Sequence, residues 1–238
     1  MKDYWVLVGS FGSGKSELAL NLALDFATRG ACTLVDLDVV NPYFRTSERG
    51  DVLEKAGVEL ISPPYALHKI EIMSLSPRVY AAFTPGEGKV IFDVGGDHIG
   101  AVALGQYKPN FELIPPEHLK VLQIVNPLRP MAAELDGALS VMEKIEGVSR
   151  LKINGLVNNA NLAEETDVSH LLQGYELVKA MSEKTGVPVL YTCAVPEIME
   201  EFRQVIAEKQ LDARYLGRLL PIEVMMHRSW DKFLENGL

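Results

Sequence analysis

The segment GSFGSGKS, residues 9–16, lies between a short apolar run and a long helical pattern. It fits the pattern G-x-x-x-x-G-K-[S/T], in which a strand leads into a glycine-rich turn and the turn opens a helix. Residues 4–8 supply the expected strand, and residues 15–28 supply the expected helix. The motif therefore predicts an α/β fold whose first strand ends at a phosphate-binding turn.

Each residue type in this turn suits a phosphate ligand. Glycines let backbone N–H groups point inward at phosphate oxygens, and the following helix adds its own unpaired N–H groups. Lys15 is expected to act catalytically at the β- and γ-phosphates, and the Ser16 hydroxyl is expected to bind Mg²⁺. The predicted nucleotide-binding residues of the turn are Gly9, Ser10, Phe11, Gly12, Ser13, Gly14, Lys15, Ser16 and Glu17.

Apolar, strand-like runs alternate with helical patterns along the chain. Predicted strands cover residues 4–8, 33–37, 58–61, 90–94, 121–125, 154–157 and 189–192. Predicted helices cover residues 15–28, 51–56, 78–82, 131–145, 169–185 and 197–209. This alternation predicts a single α/β domain over residues 1–238, with a doubly wound, mostly parallel sheet of about seven strands and helices on both faces. Loop insertions are expected near residues 62–88 and 105–118, and a helical C-terminal tail over residues 211–238.

The composition narrows the function classes. Of the 238 residues 47% are hydrophobic, the net charge is −9 and no basic stripe is present, which argues against nucleic-acid binding. No apolar stretch reaches the 18 residues that a membrane span needs, so we expect no stable membrane insertion and a cytoplasmic location. Cys32 and Cys193 form no CxxC motif and lie in strand-like runs, so we predict two buried, reduced thiols.

Acidic residues follow two of the predicted strands. Asp36 and Asp38 end the second strand, and Asp93 ends the fourth, followed by Gly95 and Gly96. The carboxyl ends of parallel strands line the ligand crevice of an open sheet, so these residues are expected near the phosphates.

Their expected roles differ. Asp93 is predicted to hold Mg²⁺, and the Gly96 N–H to sense the γ-phosphate. Asp38 is predicted to orient or activate the attacking water and to contribute to the metal site, with a loop-capping role as the alternative. Asp36 is expected to be structural, or to support the metal from behind. Asp97 and His98 are weaker candidates, and a solvated loop pair is the favoured interpretation.

Together, these motifs resemble the MinD/ParA/CobQ-like class of P-loop ATPases, which includes the nitrogenase iron protein. The segment INGLVNNANLAEETD at residues 153–167 is similar to the strand end whose asparagine reads adenine in the iron-protein branch. This similarity implies base recognition by Asn159, with Asn158 adjacent, and a polar turn is the alternative. The segment TCAVPE at residues 192–197 resembles the part that covers the base, which implies a contact from Pro196.

The resemblance has one clear departure. Members of this class often carry an additional lysine early in the loop, which reaches the nucleotide of a partner subunit. Ser10 occupies that position here, and Phe11 stands where glycine is usual. A homodimer built through that lysine is therefore not implied, although a homodimer formed otherwise stays open. Arg45 or Arg129 could supply the missing positive charge, with a surface or loop-anchoring role as the alternative for each.

Several functions fit these features. The first is a slow ATPase switch that uses ATP and Mg²⁺ and acts on a partner protein. The second is a small-molecule kinase or an ATP-dependent ligase-like enzyme, with a pocket formed by the long loops. A GTP-binding switch ranks lower because NNAN at residues 158–161 replaces the expected N-K-x-D. A non-hydrolysing scaffold is the fourth, and an iron–sulfur cluster is not expected because neither cysteine lies in a loop facing the phosphates.

Overall fold

A computed structural model describes residues 1–38, 49–62 and 77–226 of the chain. The strands are β1 (Lys2–Val8), β2 (Cys32–Leu37), β3 (Val58–Ile61), β4 (Gly88–Val94), β5 (Leu119–Val125), β6 (Gly155–Asn158), β7 (Val189–Ala194) and β8 (Arg218–Pro221). The helices are α1 (Lys15–Ala27), α2 (Gly50–Lys55), α3 (Pro77–Ala81), α4 (His98–Gln106), α5 (Lys108–Phe111), α6 (Leu135–Ser149), α7 (Val168–Thr185) and α8 (Pro196–Lys209). Short 3₁₀ turns occur at 116–118, 130–132, 163–165 and 213–215.

These eight strands form one sheet in the order β3-β2-β4-β1-β5-β6-β7-β8, and every neighbouring pair is parallel. Strands β2, β3 and β4 lie on one side of β1, with β4 next to it. Strands β5 to β8 follow one another outward on the other side of β1. The strand order thus reverses beside β1, which is the place where open α/β sheets bind ligands. The turn after β1 carries the GSFGSGKS motif.

Both faces of the sheet are covered. On one face, α1 packs Leu18, Leu22 and Phe26 on the sheet, in a cluster that includes Trp5 and Leu122. On the other face, α4, α6 and α7 bury a second cluster of side chains. Strands covered on both sides are nearly continuous in apolar residues, which explains why the sequence indicates them so clearly.

The prediction of a doubly wound α/β sheet is confirmed, but the outer parts of the fold differ from expectation. The tail after residue 211 was predicted to be helical, whereas its described part holds a 3₁₀ turn and the eighth strand, β8. The segment RLLP of β8 is short and half-exposed, so it carries little of the apolar periodicity that marks the central strands.

The second difference concerns residues 98–118, of which 105–118 were predicted to be a loop insertion with short helical pieces and 98–104 were assigned to no element. They hold α4, α5 and a 3₁₀ turn, and the side chain of Asp97 caps α4 by accepting a hydrogen bond from the Gly100 N–H at 2.7 Å. This helix is apolar on most sides and contains two glycines, so helical periodicity was not visible in it.

Cys32 and Cys193 are both free and buried, and burial raises the pKa of both thiols. They lie on β2 and β7 within the sheet. None of the described helices is both long and apolar enough to cross a lipid bilayer.

Candidate nucleotide site

The turn after β1 is wound tightly around its own backbone. Gly12 and Gly14 have positive φ angles of 73° and 87°, which side chains with a Cβ rarely adopt. The Ser13 N–H donates to the Ser10 carbonyl at 3.2 Å, which closes the turn. Gly14 is the N-cap of α1 and has no side chain that could cap it, so the first N–H groups of the helix remain available to an anion.

Two hydroxyl groups of the turn are buried without a partner. The Oγ atoms of Ser10 and Ser13 make no hydrogen bond to any described residue. Buried polar atoms are almost always paired, so such atoms call for an explanation such as a ligand or a water molecule. Both hydroxyl groups lie in the glycine-rich turn and are available to a polar ligand.

Lys15 is buried at the base of the turn, where its Nζ donates to the Ser10 carbonyl at 2.9 Å. Burial lowers the pKa of this ammonium group, and the nearby carboxylates of Asp93, Asp38 and Asp97 oppose that effect. The Lys15 ammonium group thus lies near three carboxylates and is hydrogen-bonded to the turn that contains it.

Asp36 and Asp93 lie directly opposite each other on the neighbouring strands β2 and β4. Burial and the like charge of Asp36 together raise the pKa of Asp93 to about 7, although the Ser16 hydroxyl and the Lys15 ammonium offset part of the rise. Neither Asp93 oxygen has a well-aligned hydrogen bond from a described residue. A bound cation would stabilise the charged forms of these two neighbouring carboxylates.

Asp38 lies in the turn after β2, and its backbone N–H donates to the Asp36 carboxylate at 3.0 Å. Its own carboxylate lies beside the turn after β4, because a Cβ placed on Gly95 would be 3.2 Å from the Asp38 Oδ1. The structure therefore brings Asp38, Asp93 and Lys15 to the same edge of the sheet, as the sequence predicts.

Gly96 rests on the phosphate-binding turn itself. A Cβ placed on it would lie 2.7 Å from the Phe11 Cα and 2.8 Å from the Lys15 Nζ, so no larger residue fits without a shift. The turn after β4 thus contacts both the backbone and the lysine of the turn after β1. Asp97 and His98 are exposed, as predicted for a solvated pair, but they belong to a helix start: Asp97 caps α4 and His98 is its first residue.

Asn158 and Asn159 are both buried at the end of β6. The Asn158 amide is occupied on both sides, since its Nδ2 donates to the Leu171 carbonyl at 3.0 Å and its Oδ1 accepts from the Ala160 N–H at 3.2 Å. Asn159 instead donates from Nδ2 to the Ser13 carbonyl at 2.8 Å and so holds the phosphate-binding turn from outside. The Asn159 Oδ1 makes no hydrogen bond within the described part of the chain.

A second pair of asparagines was not singled out by sequence reasoning. Asn126, fully buried at the end of β5, donates from Nδ2 to the Asn161 carbonyl at 3.0 Å, and its Oδ1 accepts from the N–H groups of Leu128 and Asn161. Asn161 in turn donates to the Asn159 carbonyl at 2.8 Å. The only sequence signal was the NP dipeptide at residues 126–127, which marks a turn directly after a strand.

Arg129 follows in the same turn. Its Nε donates to the Gly12 carbonyl at 2.9 Å, so this arginine contacts the phosphate-binding turn from its own chain. Arg45, the other arginine considered, falls outside the described residues, as do Tyr43 and Phe44 beside it and the greater part of the predicted insertion at 62–88.

Glu17 and Asn21 of α1 bind the chain after β8. The Glu17 carboxylate accepts from the N–H groups of Met225 and Met226 at 2.6 and 3.1 Å. The Asn21 amide exchanges two hydrogen bonds with the Glu223 backbone, at 2.8 and 2.9 Å. Pro196 is exposed at the first position of α8, next to the end of β7. The hydrogen bonds of Glu17 and Asn21 attach α1, the helix that starts in the turn, to residues 223–226.

Three apolar side chains are exposed around the turn: Phe11 is 69% exposed, Met131 57% and Ile99 37%. Phe11 is part of the turn, Ile99 follows the Gly96 segment that rests on it, and Met131 lies two residues after Arg129. Phe11 is the largest of the three side chains and has the greatest exposed fraction.

The residues at this edge fit a nucleotide with Mg²⁺. Within the described ranges, no cluster of three or more His, Cys, Asp or Glu residues could hold a metal ion by itself. Mg²⁺ in nucleotide sites is commonly held by one or two protein oxygens plus phosphate oxygens, so Ser16 and Asp93 meet that requirement.

Comparison with solved structures places the chain among P-loop NTPase folds. It is similar to chloroplast FtsY from Physcomitrella patens, with a TM-score of 0.53 and 18% identity over 81% of this chain and 58% of that one. It is also similar to FtsY from Thermotoga maritima, with a TM-score of 0.52 and 16% identity over 82% of this chain and 62% of that one. A third structure is the signal recognition particle receptor FtsY from Elizabethkingia anophelis in complex with GDP, with a TM-score of 0.50 and 18% identity over 81% of this chain and 57% of that one.

This chain spans between 57% and 62% of the length of those three structures. No protein-family model and no curated protein matches it. At identities of 16% to 18%, the similarity establishes the fold alone.

Proposed function

We propose that this protein binds MgATP in the turn after β1 and acts as a slow ATPase switch on a partner protein. The observation that carries the proposal is the combination of unpaired buried polar atoms at one edge of the sheet. Ser10 Oγ and Ser13 Oγ lack partners there, and neither Asp93 oxygen has a well-aligned hydrogen bond, although the Ser16 hydroxyl and the buried Lys15 lie close by. A polyphosphate chain with its magnesium ion would satisfy all of them.

In this proposal the turn and the first N–H groups of α1 bind the phosphates. Lys15 leaves the Ser10 carbonyl and contacts the β- and γ-phosphates, while Ser16 and Asp93 hold Mg²⁺, which neutralises charge on the phosphates. Asp38 orients or activates the attacking water, since its carboxylate lies beside the Gly95–Gly96 turn. The Gly96 N–H is the group that senses the γ-phosphate, because Gly96 already rests on the turn and on Lys15.

Base recognition is assigned to Asn159 and Pro196. The Asn159 Oδ1 makes no hydrogen bond to a described residue and can accept one from the amino group of adenine. Asn158 supports this strand end through its two bonds to the chain, and Pro196 lies next to the end of β7, where it can cover the base. The resemblance to MinD/ParA/CobQ-like ATPases points in the same direction.

A protein partner is proposed because Phe11, Ile99 and Met131 are exposed around the turn. Exposed apolar and aromatic groups of this kind are typical of protein interfaces. Phe11 belongs to the turn itself, so a partner that contacts Phe11 would respond to the bound nucleotide. Ser10 stands at the position of the lysine by which members of the resembled class reach a second subunit. We therefore propose a different protein, rather than a second copy of this chain, as the partner.

Isothermal titration calorimetry with MgATP, MgADP, MgGTP and tripolyphosphate tests the binding step. We expect MgATP and MgADP to bind in the micromolar range and tripolyphosphate more weakly, because it lacks the base and ribose contacts. Slow release of phosphate from MgATP by the purified protein tests the ATPase step. No heat with any of the four compounds at millimolar concentration would refute the proposed function.

GTP is the second candidate, favoured by the GDP bound in the FtsY structure from Elizabethkingia anophelis. Asn161 replaces the aspartate that pairs with guanine in the N-K-x-D pattern, so we rank ATP first. Competition of ATP and GTP against a fluorescent ADP decides between them, and a lower inhibition constant for GTP would reverse the ranking.

A further inference from the structure

We infer that Arg129 is a positioning residue for the phosphate-binding turn, which it holds from outside by the Gly12 carbonyl. The inference rests on the proposed function and adds to it a residue from the far side of the turn. Its contact is direct, since the Arg129 Nε donates to the Gly12 carbonyl at 2.9 Å.

The end of the Arg129 side chain packs against Gly12. A Cβ placed on Gly12 would meet the Arg129 Nε at 3.1 Å, Cζ at 3.4 Å and Cδ at 3.5 Å. Glycine is therefore required at residue 12 both by its positive φ and by the guanidinium packed against it. The two residues are closely packed, because even a Cβ on Gly12 would require the Arg129 side chain to shift slightly.

The turn that carries Arg129 is itself fixed. The Arg129 N–H donates to the Asn126 carbonyl at 3.2 Å, and the Arg129 carbonyl accepts from the Ala132 N–H at 2.9 Å. The buried Asn126 side chain also binds the Leu128 N–H at 3.1 Å. An otherwise flexible arginine backbone is thus held at both ends, which lowers the entropy cost of its contact with Gly12.

Arg129 and Asn159 act on adjacent carbonyl groups, those of Gly12 and Ser13. In a chain of peptide units, fixing the carbonyls on the outside of a bend directs the N–H groups of the same turn to the inside. Inward N–H groups are the ones that bind phosphate in such concave turns. Asn126 links the two supports, because it also bonds to Asn161 and Asn161 bonds to Asn159.

This role differs from that of an arginine finger. A finger contacts the transferring phosphoryl group and lowers turnover when it is removed, with little effect on ground-state affinity. A support for the turn affects every phosphate-containing ligand equally and acts before any ligand is bound. If Arg129 supports the turn, its removal changes ligand affinity and the hydrogen exchange of the turn. If Arg129 is an arginine finger, its removal changes kcat alone.

The test uses Arg129→Ala, Arg129→Lys and the control Arg150→Ala. Arg150 is a matched control, because it also donates to a glycine carbonyl, that of Gly105 at 2.9 Å, but away from the site. Hydrogen–deuterium exchange of peptides spanning residues 9–17 is measured in the nucleotide-free protein, and affinities for MgADP and tripolyphosphate are measured by calorimetry.

We expect Arg129→Ala to speed exchange of the turn about fivefold and to weaken both ligands about tenfold, as expected on losing one charge-assisted hydrogen bond. Arg129→Lys is expected to restore part of both effects, and Arg150→Ala to leave both unchanged. Unchanged exchange in Arg129→Ala, or a loss of kcat with unaltered affinity, would overturn the inference.

The exchange measurement also separates this inference from the proposed function. If the wild-type protein bound no phosphate compound, the proposed function would fail, yet faster exchange confined to residues 9–17 in Arg129→Ala would still support the positioning role. If the wild-type protein binds nucleotide but residues 9–17 exchange no faster in Arg129→Ala than in the wild type, the positioning role alone would be refuted.

Discussion

The two sides of the crevice are built from different chemistry. The charged side, at the ends of β1, β2 and β4, holds Lys15, Asp36, Asp38 and Asp93. The amide side, at the ends of β5 and β6, holds Asn126, Asn158, Asn159 and Asn161. On the charged side, neither Asp93 oxygen has a well-aligned hydrogen bond from a described residue, whereas on the amide side Asn126, Asn161 and Asn159 form a connected hydrogen-bond network that reaches Ser13.

This difference separates binding from support. Buried carboxylates of like charge raise the free energy of the empty protein, and a cation that binds between them lowers it. Paired amides rigidify their surroundings whether or not a ligand is present. The charged side is thus organised around a ligand, and the amide side is organised around the turn that receives the ligand.

The largest expected effect comes from removing the cation on the charged side. Lys15→Ala is expected to weaken MgATP by more than about 100-fold, because several charge-assisted contacts to phosphate oxygens depend on that group. Calorimetry measures the change, with Lys144→Ala on the exposed surface of α6 as the control. Equal affinities of the two variants would show that the charged side does not bind phosphate.

Asp38→Asn tests chemistry without binding. Turnover of ATP is expected to fall by about 100-fold, as for loss of a general base, while affinity for MgATP stays within about threefold of the wild type. Single-turnover hydrolysis and calorimetry measure the two quantities separately. Normal turnover would remove Asp38 from the mechanism and leave it as a residue that only packs beside Gly95.

Asp93→Asn tests the cost of charge in the empty protein. The folded pKa of Asp93 is about 7 against an ordinary value of 3.8, so the folded state holds this proton more tightly than the unfolded state. The stability that this group contributes is therefore complete below about pH 4 and is lost as the pH rises to 7.

Because asparagine does not titrate, the advantage of the variant over the wild type is expected to grow by about 2 kcal/mol between pH 5 and pH 8. Urea unfolding without nucleotide or Mg²⁺ measures it at both pH values. A constant difference between the two proteins would mean that folding does not change the protonation of Asp93 between pH 5 and pH 8, and would contradict a raised pKa.

The smallest effect is expected on the amide side. Asn159→Ala removes the bond to the Ser13 carbonyl and the proposed contact with adenine, so MgATP is expected to weaken about tenfold and tripolyphosphate about threefold. The ratio separates the two roles of one side chain, and calorimetry gives both numbers. Equal losses for the two ligands would leave Asn159 as a support alone.

The charged side was predictable from the sequence because its parts are short motifs in a fixed context. Glycine-rich turns and strand-end aspartates carry their function in residue type and local spacing, so Lys15, Asp38 and Asp93 meet at one edge once the strands are parallel. The central strands were predictable for a similar reason, since burial on both faces leaves a continuous apolar run.

The amide side was only partly predictable. Asn159 was assigned to the base from a family resemblance, whereas its bond to Ser13 joins residues 146 positions apart in the chain. Arg129 and Gly12 are 117 positions apart, and no local pattern reports that an arginine reaches a particular carbonyl. Such contacts depend on strand order, which brings β5 next to β1.

The attachment of Glu17 to the backbone of Met225 and Met226 bears on how this protein is handled at the bench. A recombinant version shortened before residue 222 would remove two amide donors from a carboxylate that directly follows Ser16. The first residue of β1 lies at the opposite edge of the sheet from this junction. A cleavable tag placed before β1 would therefore leave the hydrogen bonds of Glu17 intact.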